Sequence, residues 1–86
     1  MESDIGFRIE RLENQKEETE QELKEVEVTI SKLEIVRDEI RNRDTRDVTD
    51  RGISQLEEQR EFLEGSISEI DNSIEFVRNS CKGVKQ

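Results

Sequence analysis

At 86 residues, of which 43% are charged and only 29% hydrophobic, the chain is one small domain with too few apolar residues for a deep globular core. Its 23 acids against 14 bases leave a net charge of −9, which disfavours nucleic acid or an anionic membrane as a partner over the body of the protein. No apolar run approaches the roughly 18 residues that a bilayer requires, so membrane insertion is not expected.

The amino terminus, Met1-Glu2-Ser3-Asp4, is acidic where a signal peptide would be basic, and a lone cysteine rules out an internal disulfide. A cytoplasmic, reducing setting is the expectation. Proline is absent, and Glu, Lys, Arg, Gln and Leu give strong helix propensity along most of the length.

The first element is a helix over about 5–42. Ile5, Ile9, Leu12, Leu23, Val26, Ile30, Leu33 and Ile40 share one phase of alternating three- and four-residue steps, with Lys16, Thr19 and Arg37 in the remaining core slots. The stripe is weakest at Lys16 and Thr19. A lysine there keeps its methylenes covered while its charge reaches past the edge of the seam.

Between Arg41 and Gly52 only Val48 is apolar. Extending the first phase places core positions at Asp44, Asp47, Arg51 and Ser54, whereas the next apolar stripe begins at Ile53 and Leu56. That two-residue mismatch fits no simple coiled-coil insertion, so a break is expected. A polar turn over about 43–50 is the reading, with Gly52 free to turn, Asp50 or Thr49 able to cap, and Ser54 with Glu57 an alternative capping box.

The second helix, about 50–83, carries the cleaner stripe: Ile53, Leu56, Leu63, Ile67, Ile70, Ile74, Val77, Cys81 and Val84, broken only by Arg60. A short connection makes antiparallel neighbours. Pairing Leu56 with Ile40 sets Leu63 against Leu33, Ile67 against Ile30, Ile70 against Val26, and Ile74 against Leu23. Val77 then meets Thr19, Cys81 meets Lys16 and Val84 meets Leu12. The same register brings Arg78 to Glu20 and Lys85 to Glu13, and sets Glu64 near Glu34 and Asp71 near Glu27. The fold class is therefore all-α: an antiparallel two-helix coiled-coil hairpin, completed as a four-helix bundle by dimerisation or by a partner helix.

Off the seam lie Phe7, Val28, Ile35 and Val36 on the first helix and Phe62 and Phe76 on the second. Val28, Ile35, Val36, Phe62 and Phe76 form the candidate partner surface, because a two-helix hairpin leaves its seam open on one side. Ser66, Ser73 and Ser80, seven residues apart and facing Thr29, make a small uncharged flank.

Catalytic chemistry is not expected. Histidine, tryptophan and tyrosine are absent, the inward positions are aliphatic, and the acid runs Glu17-Glu18, Glu20-Glu22 and Glu57-Glu58-Glu61 read as solvated faces. Asp44 to Asp50 lacks the glycine and closing glutamate of a calcium loop, and Gly65 and Gly83 are isolated, so neither a metal nor a cofactor is expected. Cys81 reads as a small seam residue. Arg37, Arg41, Arg43, Arg46 and Arg51 around the turn are matched by Asp38, Glu39, Asp44, Asp47 and Asp50, giving a mixed-charge tip.

These features point to a non-enzymatic interaction or oligomerisation module: a scaffold, adaptor or assembly subunit whose partner is protein, either a second copy or another helical chain. The alternative is a small acidic inhibitor whose carboxylate rows imitate nucleic acid in a basic groove.

Overall fold

In the computed structural model, the backbone is described for residues 2–85 and the side chains for residues 4–80. Expectations for the side chains of Cys81, Val84 and Lys85 lie outside those residues. Two helices, α1 (Glu2–Glu39) and α2 (Arg43–Lys85), pack along their lengths as an antiparallel hairpin with principal extents of 66 × 15 × 12 Å.

Each helix forms the seam its periodicity predicts. Val26, Ile30, Ile53, Leu63 and Ile74 are buried, and Leu23, Leu33 and Leu56 pack against that core. Leu12, Ile40, Ile67, Ile70 and Val77 are half-buried, as are the polar seam members Lys16, Thr19, Arg37 and Arg60. No described side chain is fully enclosed, because a single opposing helix covers each stripe from one direction only.

The corner differs from the sequence expectation. The connection is only Ile40-Arg41-Asn42, and the expected turn at 43–50 is the opening of α2. Asn42 is the N-cap: its Oδ1 accepts from the N–H groups of Asp44 at 2.9 Å and Thr45 at 3.2 Å, and its carbonyl accepts from Arg46 N–H at 3.0 Å to start the helical ladder. Arg46 also donates from its guanidinium to the Ile40 carbonyl at 2.8 Å, satisfying an orphan acceptor at the end of α1 and complementing that end of its dipole. Thr49 caps nothing; its hydroxyl donates to the Thr45 carbonyl one turn earlier. Gly52 sits inside the helix, and no glycine among the described residues has a positive φ.

Residues 43–48 lack a seam because little of α1 lies opposite them. Arg37, in the last turn of α1, reaches Asp50 at 3.5 Å, so the first turns of α2 extend beyond the last shared level. Polar residues cost little there.

The pairing register also differs, by one heptad. Arg78 bridges Glu13 at 3.7 Å instead of Glu20, and Asp71 meets Lys16 at 2.8 Å instead of Glu27. Stepping by heptads from these contacts sets Leu33 level with Leu56, Val26 with Leu63, Leu23 with Ile67, and Leu12 with Val77. The cause is the charge inside the seam. The expected register places Arg37 opposite Arg60, two like charges on the covered side of a narrow interface. In the structure Arg37 pairs with Asp50 while Arg60 lies 3.9 Å from both Glu57 and Glu64 on its own helix. The same shift brings half-buried Ile5 and Ile9 alongside the backbone of α2.

The corner is tested by its caps. Asn42→Ala should destabilise the hairpin by about 1 kcal/mol, whereas Thr49→Ala should change stability by no more than about 0.5 kcal/mol. Urea unfolding followed by circular dichroism reads both.

Candidate interaction faces

The seam divides the rest of the surface into two flanks. Take Lys16, Leu23, Ile30, Arg37, Ile53, Arg60, Ile67 and Ile74 as heptad position a, with Leu12, Thr19, Val26, Leu33, Leu56, Leu63, Ile70 and Val77 as d. An antiparallel pair then brings e residues toward e residues and g toward g. The contacts agree: Glu13 and Arg78, both at e, form an ion pair, whereas Gln15 and Ser73, both at g, line one groove.

The e side is acidic. Glu13, Glu20, Glu27 and Glu34 of α1 stand along one edge, and Asp50, Glu57, Glu64 and Asp71 of α2 along the other. Position b adds Glu10, Glu17 and Asp38, then Asp47, Glu61 and Glu75. Between Glu10 and Asp38 on α1, and between Asp47 and Arg78 on α2, Lys24 and Arg78 are the only cations at these positions.

Compensation comes from the seam itself. Lys16 reaches Asp71, Arg37 reaches Asp50, and Arg60 lies beside Glu57 and Glu64, so all three seam cations meet acids at e. Contact with Asp71, first by hydrogen bond and then by charge, raises the Lys16 pKa; burial opposes this, and Glu20 and Glu13 add to it. These are surface-edge pairs whose role is to choose geometry more than to supply stability.

The g side is uncharged along the α2 edge and mixed in charge along α1, where Arg8 and Glu22 stand at g and Arg11, Glu18, Glu25 and Lys32 at c. Gly52, Gln59, Ser66, Ser73 and Ser80 of α2 face Arg8, Gln15, Glu22, Thr29 and Val36 of α1, and Leu12 and Val77 are reached through a groove of ≈ 640 Å³ lined also by Arg8, Arg11, Gln15 and Ser73. Val48, Phe62 and Phe76 lie farther round on this side, at c of α2, whereas Phe7, Val28 and Ile35 lie at f of α1, on the back of that helix and directly away from the seam. Together with Val36 these are the large exposed hydrophobics, and none lies at e or b. Phe62 and Phe76 are each 72% exposed.

Val28, Ile35, Val36, Phe62 and Phe76, the residues of the expected partner surface, are all exposed, Val36, Phe62 and Phe76 on the g side and Val28 and Ile35 on the back of α1. Sequence reading gave Phe7 and Val48 no place on that surface. The signal for Val48 was present: it precedes Phe62 by the same fourteen residues that separate Phe62 from Phe76, but it fell within the stretch read as a turn.

Among the described residues there is no group of potential metal ligands, no buried unpartnered side-chain polar atom, and no helix long and apolar enough to cross a membrane. No protein-family model, curated protein or solved structure matches the chain.

The seam cation nearest the termini gives a pH prediction. Because the folded-state pKa of Lys16 is raised above 10.5, its pairing contributes fully below the ordinary lysine value and is lost as pH climbs through the raised one. Asp71→Asn should return the Lys16 titration, followed by NMR at the side-chain nitrogen, toward the ordinary value. It should also remove the alkaline part of the loss in melting temperature.

Proposed function

We propose that the chain is a non-enzymatic helical-hairpin interaction module, working in the cytoplasm as a scaffold, adaptor or assembly subunit that holds a helical protein partner. The supporting observation is the set of exposed Val, Ile and Phe side chains outside the seam, none of which lies at e or b, where the acids are densest. Single exposed apolar residues are ordinary on any protein, but Val48, Phe62 and Phe76 recur at fourteen-residue intervals along one line of α2, the pattern of a stripe that another helix covers. The small residues Gly52, Ser66 and Ser73 leave room for that helix to approach the half-buried seam behind them.

The acidic flank supports a second reading, an inhibitor that occupies a basic groove in place of nucleic acid. Its carboxylates form two parallel rows about one helix diameter apart, a spacing of like charge that a basic groove would recognise.

The two readings separate by face and by salt. With the intact hairpin as bait, a module loses its bound proteins on the double substitution Phe62→Glu/Phe76→Glu and keeps them in roughly 1 M salt, where the screening length is only about 3 Å. A nucleic-acid mimic gives the reverse: binding survives the phenylalanine changes and is lost in salt and on Glu27→Gln/Glu64→Gln. Retention insensitive to both sets of substitutions would rule out both.

A further inference from the structure

We infer that the hairpin has a second register, one heptad from the first, and that charge at Arg37 and Asp71 keeps it in the first. In the slide between them residues 43–49 pass from helix to connection, so that α2 opens near Asp50 instead of at Arg43. The inference is independent of what the hairpin binds.

Residues 49–57 carry a helix start that the first register does not use. Thr49 or Asp50 can cap a helix and Ser54 with Glu57 matches a capping box, yet all four lie inside α2, whose cap is Asn42. Gly52 lies among them. In a helix interior only proline is less favourable than glycine, and the hairpin gives this one no purpose: its φ is not positive, and an added Cβ meets nothing within 4 Å. A helix that opens near residue 50 moves Gly52 into its first turn, outside the interior to which that penalty applies.

The seam supplies a separate reason. After the slide every aliphatic seam residue from Leu23 to Ile40 meets an aliphatic residue of α2, from Ile74 opposite Leu23 to Leu56 opposite Ile40, and only Arg37 does not, because it meets Arg60. In the first register Ile30 faces Arg60 and Ile74 faces Lys16. A slide of seven residues keeps each heptad position on its own face, so neither helix has to rotate. Only the corner must change. Its opening turns have little of α1 opposite them, and the Asn42 cap and the Arg46 contact that they lose are replaced by the second helix start.

Charge decides between the two. Arg37 pairs with Asp50 at 3.5 Å in one register and faces Arg60 in the other, and Asp71 pairs with Lys16 at 2.8 Å in one and faces Glu27 in the other. Glu64 facing Glu34 adds to the bias. Arg78 finds an acid in both, Glu13 in the first and Glu20 in the second, and so does not choose. Because Arg37 and Asp71 each exchange an attractive neighbour for a repulsive one, reversing their signs reverses the preference.

The double reversal Arg37→Glu/Asp71→Lys should move the full chain into the second register. Spin labels in a Cys81→Ser background read the slide, because seven residues of α-helix span roughly 10 Å. Relative to the unreversed chain, labels at Thr29→Cys/Ser80→Cys should come about 10 Å closer, and labels at Arg8→Cys/Gln59→Cys should move about 10 Å apart. Opposite changes at the two pairs are the mark of sliding, since unfolding lengthens or blurs both. Helical circular dichroism should fall by about two turns as residues 43–49 unwind. Arg37→Glu alone should give both distances in one sample. A doubly reversed chain that stays helical with both separations unchanged would overturn the inference, as would loss of both defined distances, because the second alignment would then support no hairpin. A single unshifted distance in Arg37→Glu would show that Arg37 does not select the register.

Discussion

Three cations set into an otherwise aliphatic seam govern the arrangement of this hairpin. Lys16, Arg37 and Arg60 occupy core-facing positions yet are only half-buried, and each extends to a carboxylate on the same flank. A heptad seam made only of leucine and isoleucine matches itself equally well after a seven-residue slide, so apolar burial alone gives weak control of register. Charges do not repeat in that way. Sliding by one heptad toward greater aliphatic matching near the corner would bring Arg37 to Arg60 and Asp71 to Glu27, while separating both Lys16 and Arg37 from their acids. The pairs add little stability individually, but the alternative they exclude is costly.

The same cations account for the two-sided surface. Carboxylates crowded along both edges of one groove would repel across it; basic groups rising from the seam between them lower that repulsion where it is greatest. Acids can therefore accumulate on the e side, while the g positions of α2, Gly52, Gln59, Ser66, Ser73 and Ser80, stay uncharged. Each helix hides one stripe against the other, and α2 carries a second, sparser apolar line of its own at Val48, Phe62 and Phe76.

Much of this was legible in the residues and some was not. The two stripes, their phases, the antiparallel pairing and the off-seam apolar residues follow from spacing, because helical periodicity converts sequence position directly into face. The corner did not follow, because the opening turns of α2 lie past the end of α1 and so bear no apolar signal; Asn42 was one polar residue among many, and Thr49, Asp50 and Ser54 offered competing caps. The register was missed for a related reason. Aliphatic matching favoured one alignment, and the like charges at Arg37 and Arg60 carried the opposing information. Read as seam interruptions taken one at a time, they gave no clue that they would face each other.

Corner and face are linked through Val48. Starting α2 at Arg43 instead of near residue 50 adds two turns of helix, and those turns keep the phase of the remainder of α2. Val48 consequently joins Phe62 and Phe76 on one line at fourteen-residue intervals, and the apolar side of α2 extends beyond the last shared level of the hairpin. A turn at 43–50 would have left that side shorter and Val48 without a direction. The Asn42 cap, the Arg46 contact with the Ile40 carbonyl and the Arg37–Asp50 pair thus do more than reverse the chain. By fixing where α2 begins and how far it overlaps α1, they set the length of the exposed apolar line on α2.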